Sequence, residues 1–336
     1  MPGAARIVVT GATGFIGRHV VDQLVRRGDD VAALVRDPVS ARALLPATVE
    51  SVSSDLTDPA TLVSAMAGAT GVVHLAGSYR VGIPRSERPH MLDANVGAAE
   101  RVLDAAITAA VARVVHVSTV NVFGNTKGVV VDETYRRDVS AGFLSYYDET
   151  KWLAHQAAER RIRDGAPIVI VQPSQVYGPG DHSSIGEQLR QAHDGTLAFI
   201  GLGGVGLGFV HADDLATGIL AALDRGRPGA SYILGGPNVR LREAMAIAAK
   251  VGGRPLPRIS VPDTVLRVGA FLGPHLGGLF GLPPDLGEIV SASIGVTYWA
   301  SSARAATELG YRPRDLATGF ADTFAAAGGT TAASDA

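Results

Sequence analysis

Short strand-like runs alternate with helical stretches through the first half of this 336-residue chain, and this alternation constrains its fold more than any other feature. Six runs are rich in β-branched residues and almost wholly apolar, which is typical of strands buried on both faces of a parallel sheet. They lie at 7–9, 31–35, 49–52, 72–75, 114–117 and 168–171. Helices are predicted between them at 14–27, 59–67, 91–110 and 144–164. The pattern predicts a doubly wound α/β fold with right-handed crossovers.

Beyond Val171 the pattern loosens, with one more strand predicted at 232–234 and a helix at 215–223. We predict a main domain made of 1–172 and 208–235, and a smaller, discontinuous C-terminal region made of 173–207 and 236–326. Residues 327–336 are mostly Gly, Ala, Thr and Ser, which predicts a disordered tail. The apolar stretch 264–282 contains Arg267 and Pro274, so it falls short of a membrane-spanning helix and predicts a lid or an interfacial helix.

Composition excludes several functional classes. The chain has 30 Lys+Arg against 32 Asp+Glu and no long run of either sign, so it carries no electrostatic footprint for nucleic acid. It has no cysteine, and its nine histidines lack metal-binding spacing, so neither a disulfide nor a metal site is expected. The first strand begins at Ile7, too early for a signal peptide. We therefore expect a cytoplasmic protein without stable membrane insertion, whose partner is a small molecule.

A glycine-rich segment follows the first predicted strand and opens the first predicted helix. It reads Thr10-Gly11-Ala12-Thr13-Gly14-Phe15-Ile16-Gly17, with glycines three residues apart instead of the G-x-G-x-x-G spacing. Glycines there let the backbone turn tightly and approach a pyrophosphate, which the free N–H groups at the helix start would bind. The segment predicts a dinucleotide site in a Rossmann-like fold, with the substrate-binding region in the smaller C-terminal part.

The residue after the second predicted strand indicates which dinucleotide is bound. An acidic residue there would bind the adenosine ribose of NAD, whereas this chain has Arg36, followed by Asp37. A guanidinium suits the 2′-phosphate of NADP, with Arg18 as a second cation. The sequence therefore favours NADP(H), and Asp37 leaves NAD(H) open.

Tyr147 and Lys151 lie four residues apart in a predicted helix, so their side chains share one face. Thr119 follows the fifth strand, whose carboxyl end should face the nucleotide crevice. Tyr147 would exchange a proton with a carbonyl or an alcohol once the Lys151 ammonium and the bound cofactor lower its pKa from about 10. Lys151 would also hold the ribose hydroxyls, and Thr119 would hydrogen-bond the reacting oxygen.

Together these segments resemble the extended short-chain dehydrogenase/reductase superfamily, of the NAD-dependent epimerase/dehydratase type. The resemblance covers about residues 10–214 and, within that branch, looks most like dihydroflavonol-4-reductase-like and hopanoid-associated sugar epimerase-like proteins. It rests further on Asp55-Leu56, His74-Leu75-Ala76-Gly77, Asn95, Ser118-Thr119, and the segments 172–181 and 209–214.

The resemblance implies that Thr119, Tyr147 and Lys151 are the catalytic residues. Taken with the motifs above, it implies that the cofactor-binding residues are Gly11, Thr13, Gly14, Phe15, Ile16, Gly17, Arg18, Arg36, Asp55, Leu56, Ala76, Gly77 and Pro173. The expected substrate-binding residues are Ser78, Tyr79, Ser174, Val176, Tyr177 and His182, and most of them are uncharged.

The sequence departs from the family pattern at positions that bear on which reaction is expected. Sugar-nucleotide 4,6-dehydratases have an acidic pair after the catalytic threonine, where this chain has Val120 and Asn121, so elimination is not expected. Gln172 replaces a common arginine, and a diphosphate-bearing substrate loses support. We predict NADPH-dependent reduction of a carbonyl on a mostly apolar molecule, such as a polycyclic or aromatic ketone, a flavonoid-like compound or an isoprenoid.

Two other functions stay open at this point. One is an NAD-dependent epimerase acting on a sugar or nucleotide sugar, and the other is a non-catalytic regulator that senses a dinucleotide. By resemblance, a homodimer would form through the helices at 91–110 and 144–164.

Overall fold

The structure, a computed structural model, describes residues 5–280 and 286–331. Its strands are β1 Arg6–Thr10, β2 Asp30–Val35, β3 Glu50–Ser53, β4 Gly71–His74, β5 Arg113–Val117, β6 Ile168–Pro173, β7 Gln175–Tyr177, β8 Gly206–His211, β9 Ser231–Leu234 and β10 Asn238–Arg240. Its helices are α1 Phe15–Arg27, α2 Pro38–Ala41, α3 Pro59–Met66, α4 Arg88–Leu92, α5 Ala98–Thr108, α6 Tyr146–Arg163, α7 Ser184–Asp194, α8 Ala212–Arg225, α9 Leu241–Val251, α10 Asp263–Phe280, α11 Leu286–Ser291, α12 Ala303–Glu308 and α13 Leu316–Thr331.

Seven parallel strands form the main sheet, in the order β3-β2-β1-β4-β5-β6-β9. From β1 to β3 the strands are added on one side of β1, and from β4 onward they are added on the other side. In sheets of this kind, ligands bind at the carboxyl ends of the strands beside that switch point. The predicted Rossmann-like, doubly wound α/β fold is confirmed.

Neighbouring residues of β1 show why the strands are apolar throughout. Val9 belongs to the core that contains Val20 and Leu24 of α1, whereas Val8 belongs to the core that contains Leu62 of α3 and Val102 of α5. Successive side chains of a strand point to opposite faces, so a strand covered by helices on both sides needs an apolar residue at every position.

A second sheet of three strands, β10-β8-β7, lies apart from the main sheet. β8 pairs parallel with β7 and antiparallel with β10. Its core is separate and includes Tyr177, Phe209, Met245 and Phe320. The division into 1–172 with 208–235 and 173–207 with 236–326 stays a prediction; β9 joins the main sheet, and β8 joins the second.

Two predicted segments reach the limits of the described residues. Helix α10 spans most of the stretch 264–282, and Val265, Val268 and Phe271 are exposed on it. Helix α13 extends to Thr331, and the rest of the predicted tail, 332–336, lies outside the described residues. Among the helices that the structure describes, none combines the length and the apolar character that crossing a membrane requires.

Candidate active site

The loop between β1 and α1 lies at the switch point and packs tightly against the chain that leaves β4. Gly11 has a φ of +71°, and a Cβ on it would lie 2.7 Å from the Ala76 amide nitrogen. A Cβ on Gly17 would lie 2.0 Å from the Gly11 carbonyl oxygen. Gly14 occupies the N-cap of α1 and places no side chain over the first N–H groups. The loop therefore fits a pyrophosphate held by backbone N–H groups.

Two candidate residues after β2 have different surroundings. The Asp37 carboxylate caps α2, accepting hydrogen bonds from the Val39 N–H at 2.9 Å and the Ser40 N–H at 3.3 Å. Arg36 is exposed. Since Leu34 pairs with Thr10 in the sheet, Arg36 stands level with the glycine-rich loop. Arg36 is therefore available to bind an anionic group of a ligand, whereas the Asp37 carboxylate is already hydrogen-bonded to the start of α2.

Arg18, the second predicted cation, lies against the loop that follows β7. A Cβ on Gly180 would lie 3.1 Å from Arg18 Nη2. Arg18 is half-buried there, in the first turn of α1. The predicted residues Thr13, Phe15 and Ile16 are half-buried on the same loop and turn.

The loop after β3 holds Asp55 and Leu56 in a fixed conformation. Leu56 has a φ of 65°, which a residue other than glycine seldom adopts. Arg101 Nε donates to the Leu56 carbonyl at 2.7 Å, and the Asp55 carboxylate accepts from the Thr57 N–H at 3.0 Å. Backbone strain of this kind is concentrated at ligand sites, so it agrees with the predicted cofactor contact.

Asn95 anchors the loop that follows β4 to helix α6. It is buried in a π-helical turn, Asp93–Gly97, between α4 and α5. Its Oδ1 accepts from the Ser78 N–H at 2.6 Å, and its Nδ2 donates to Thr150 Oγ1 at 2.9 Å. The loop carrying Ala76 and Gly77 is therefore held beside the start of α6.

Tyr147 and Lys151 lie in the first two turns of α6. Lys151 Nζ donates to the Val117 carbonyl, at the end of β5, at 3.2 Å. The Tyr147 ring packs edge to face against Tyr79, with ring centroids 4.8 Å apart. The pair is thus brought between the ends of β4 and β5, and Thr119 follows β5 by two residues.

Burial controls the ionisation of this pair. It raises the pKa of Tyr147 above its usual value, with Tyr79 and Asp148 as smaller contributors. Burial also lowers the pKa of Lys151 to about 8. The sequence predicts that Lys151 and the bound cofactor together lower the pKa of Tyr147. In the protein alone, burial raises that pKa instead, because the phenolate would lose its hydration. Tyr147 therefore keeps its proton at neutral pH, as a proton donor requires.

Thr119 connects to α6 through two polar side chains, Asn121 and Asp148, that are not among the site residues predicted from the sequence. Thr119 Oγ1 donates to Asn121 Oδ1 at 3.2 Å, and Asn121 Nδ2 donates to Asp148 Oδ1 at 2.9 Å. Asp148 directly follows Tyr147 and is 1% exposed. An acidic residue in the first turn of a helix is common on a surface, so the sequence gives no signal that this carboxyl is buried.

The predicted substrate-binding residues fall into two groups. Ser78 and Tyr79 lie in the loop beside Tyr147. Ser174, Val176 and Tyr177 lie on the side of the second sheet, where a Cβ on Gly319 of α13 would overlap the Tyr177 hydroxyl. His182 is exposed, and Pro173, a predicted cofactor contact, is buried at the end of β6. Within the first group, Tyr79 packs directly against Tyr147.

Helix α11 connects the chain after β4 with the segment just before α6, beside Tyr147. Glu288 accepts from the Gly82 N–H at 2.6 Å and from Arg88 Nη2 at 3.2 Å. Ser291 Oγ donates to the Leu144 carbonyl, just before α6, at 2.8 Å. Helix α10 packs against α11.

A cavity of about 420 Å³ follows another face of α6. It is lined by Trp152, His155 and Glu159, among others, and neither Tyr147 nor Lys151 contributes to it. The candidate active site is therefore the open cleft at the strand ends, not this cavity.

Comparison with known proteins assigns the chain to a family. Residues 7–235 match the NAD dependent epimerase/dehydratase family. A protein from Synechocystis sp., provisionally named dihydroflavonol 4-reductase, is 30% identical over 94% of this chain and 92% of its own length. The crystal structure of gox2253 is 32% identical with a TM-score of 0.80, covering 95% of this chain and 96% of that one. MoeE5, solved with UDP-glucose and NAD, is 25% identical with a TM-score of 0.75, covering 97% and 100%.

The chain therefore belongs to the NAD dependent epimerase/dehydratase family, within the extended short-chain dehydrogenases/reductases, as its motifs predict. It is an NAD(P)-dependent oxidoreductase, and its cofactor is a nicotinamide dinucleotide. The roles of individual residues stay predictions.

Proposed function

We propose that this protein is an NADPH-dependent reductase that acts on a carbonyl group of a mostly apolar small molecule. The observation that carries the proposal is the contrast after β2, where Asp37 is used as a helix cap and Arg36 is exposed at the level of the glycine-rich loop. NADP selectivity suits net reduction, because a reductase exchanges its cofactor at each turnover. The reductase name of the Synechocystis relative supports the same direction.

The cofactor would lie across the ends of β1 to β6. Backbone N–H groups from Gly11 to Gly17 would hold the pyrophosphate, and Arg36, supported by Arg18, would hold the 2′-phosphate. Asp55 and Leu56 would border the adenine. Ala76, Gly77 and Pro173 would border the nicotinamide half. When bound, NADPH supplies the hydride that reduces the carbonyl carbon.

Tyr147, Lys151 and Thr119 would handle the carbonyl oxygen. Tyr147 would donate its proton to that oxygen, in keeping with a pKa that burial raises. Lys151 would hold the ribose hydroxyls and stabilise the phenolate that remains. Thr119 would position the oxygen by a hydrogen bond.

Exposed apolar side chains on the loop after β4 and on α10 support an apolar substrate. Tyr79 is 61% exposed beside Tyr147, and α10 exposes Val265, Val268 and Phe271. Exposed apolar side chains of this kind are often found on surfaces that meet an apolar ligand. The predicted lid role of 264–282 is part of this proposal.

The test has two arms. Fluorescence titration with NADPH and NADH should give the tighter complex with NADPH, and turnover should be found in a panel of 1-tetralone, dihydroquercetin and a 3-ketosteroid. Tyr147→Phe should lose at least roughly a hundredfold in kcat and bind NADPH as before. An active Tyr147→Phe enzyme would contradict the mechanism, and a tighter NADH complex would contradict the cofactor choice.

The alternative is an NAD-dependent epimerase that acts on a sugar or nucleotide sugar. It is supported by the likeness to MoeE5, solved with UDP-glucose and NAD. NAD retained through purification, with epimerisation of UDP-glucose, would favour it. NADPH binding without any turnover would favour the dinucleotide-sensing regulator.

The homodimer and the cytoplasmic location also stay proposals. Light scattering would give twice the chain mass of 34.7 kDa for a homodimer, and fractionation of cells that express the protein would test the location.

A further inference from the structure

The carboxyl group of Asp148 is buried directly behind the proposed catalytic residues. It follows Tyr147 in α6 and is 1% exposed. Its Oδ1 accepts the hydrogen bond from Asn121 Nδ2 at 2.9 Å, and its Oδ2 is buried without a partner among the described residues. Burying a carboxyl oxygen without a hydrogen-bond partner costs free energy of folding. The burial of Asp148 therefore needs an explanation.

Asp148 controls which way the Asn121 amide faces. A carboxylate only accepts hydrogen bonds, so it holds the NH₂ group of Asn121 toward itself and leaves Oδ1 toward Thr119. Thr119 Oγ1 donates to that oxygen at 3.2 Å and accepts from the Asn121 N–H at 3.3 Å. A threonine hydroxyl has one proton to donate, and here it is hydrogen-bonded to Asn121 Oδ1. Thr119 then offers a substrate only a lone pair, whereas a ketone oxygen needs a donor.

We propose that Asp148 is a positioning residue that acts through Asn121 to decide whether Thr119 donates or accepts a hydrogen bond at the substrate oxygen. When the Asp148 carboxyl takes up one proton from solvent, its O–H donates to Asn121 Oδ1 and the amide turns over. The Asn121 NH₂ group then donates to Thr119 Oγ1, and the Thr119 proton is free for the carbonyl oxygen. This inference rests on the role of Thr119 in the proposed function.

The surroundings of Asp148 place its titration near neutral pH. The groups that face it come from several segments of the chain and are Arg137, Glu288, Tyr79, Tyr147 and Tyr298. Burial is the main influence and raises the pKa of Asp148 to about 6, while Arg137 opposes the shift and Glu288 adds to it. Both states of the carboxyl are therefore within reach in solution.

The kinetic test compares pH profiles of kcat for ketone reduction between pH 5 and 8. The wild type should gain roughly tenfold as pH falls through 6, because a donor toward the developing oxyanion is restored. Asp148→Asn, whose amide can donate to Asn121, should give a flat profile near the acid plateau. Glu149→Gln, which removes the adjacent carboxylate on the same helix, should keep the wild-type profile. An Asp148→Asn profile that retains the inflection, or falls equally at every pH, would overturn the proposal.

A second measurement needs no turnover. The chain has four asparagines, Asn95, Asn121, Asn125 and Asn238, so selective ¹⁵N labelling of asparagine gives four side-chain amide pairs. The Asn121 pair, identified by its loss in Asn121→Ala, should shift with an inflection near pH 6 in the wild type and in Glu149→Gln. It should not do so in Asp148→Asn. No inflection in the wild type would also overturn the proposal.

These measurements separate the two hypotheses. If no ketone is reduced, the proposed function fails while the amide titration still tests the link between Asp148 and Asn121. If Tyr147→Phe is inactive and the pH profile of Asp148→Asn matches the wild type, only the inference about Asp148 fails. Asn121→Ala breaks the same link from the other side and should also give a flat profile, because Thr119 Oγ1 no longer has the Asn121 amide oxygen to donate to.

Discussion

Ionisable side chains that lose their hydration dominate the site at the scale of single residues. Lys151 and Tyr147 are shifted in opposite directions from their usual pKa values, and burial is the main cause of both shifts. Arg36 and Asp37 are both exposed, so hydration does not distinguish them. They differ because the Asp37 carboxylate already accepts a hydrogen bond from the Val39 N–H of α2. The chemistry of the site depends on these local environments more than on residue type.

Replacing Arg36 should change cofactor selectivity. Arg36→Ala should weaken NADPH binding roughly tenfold or more, because a charge-assisted hydrogen bond to a phosphate contributes about 1.5–3 kcal/mol. NADH binding should change less than about twofold, because NADH lacks the 2′-phosphate. Parallel fluorescence titrations measure both, with Arg26→Ala, an exposed arginine near the other end of α1, as the control. Equal losses for both cofactors would contradict the assignment.

Replacing Lys151 should stabilise the folded protein while removing activity. Its pKa is about 8 in the folded state and 10.5 when unperturbed, so the folded state binds the proton more weakly. The free-energy cost of burying the charged ammonium applies in full below pH 8, and it is relieved as the pH rises toward 10.5. Lys151→Met should therefore gain on the order of 2 kcal/mol at pH 7, and this gain should shrink at pH 10.

Urea denaturation at the two pH values measures the gain from Lys151→Met. Lys250→Met, at an exposed position of α9, is the matched control and should leave the free energy of unfolding nearly unchanged. A Lys151→Met protein that is less stable than the wild type at pH 7 would show that the ammonium is compensated in the folded state.

Helix α6 organises the site at the scale of elements. Its first two turns carry Tyr147, Asp148 and Lys151, and Thr150 connects it to Asn95. Ser145 begins the helix, with its Oγ accepting from the Asp148 N–H at 3.1 Å. The position of the proposed catalytic side chains therefore depends on where this helix starts.

Removing the cap of α6 should affect stability and catalysis together. Ser145→Ala should lower the free energy of unfolding by about 1 kcal/mol and should also lower kcat, because Tyr147 lies in the first turn. Ser183→Ala removes an equivalent cap from α7, where Ser183 Oγ accepts from the Gly186 N–H at 3.0 Å. It should cost similar stability and leave kcat unchanged. Equal effects of the two variants on kcat would argue against a positioning role of this cap.

At the scale of the whole molecule, the proposed cofactor site is formed by strands that are distant in sequence and adjacent at the switch point. β1, β2 and β4 each end beside the glycine-rich loop, and α11 joins the loop after β4 to the start of α6. A ligand that touches all of these segments binds the folded state alone. Binding is therefore linked to global stability.

Saturation with cofactor should raise the unfolding temperature. At a concentration of about 100 Kd, NADPH should add about 2.7 kcal/mol to the free energy of unfolding, since the unfolded chain has no site. Thermal unfolding followed by circular dichroism would measure the effect. NADH at the same concentration should give a smaller shift, and an equal shift would contradict the preference for NADPH.

The sequence by itself determined the strands of the main sheet, the glycine-rich loop and the pairing of Tyr147 with Lys151. Each of these depends on neighbours within a few residues, through the alternation of strand side chains or the i,i+4 spacing of a helix. Only the tertiary structure decided that Asp148 is buried against Asn121, that Arg18 lies against Gly180, and that Glu288 reaches Gly82. Those contacts join segments 27 to 206 residues apart, and which segments meet depends on the packing of the whole chain.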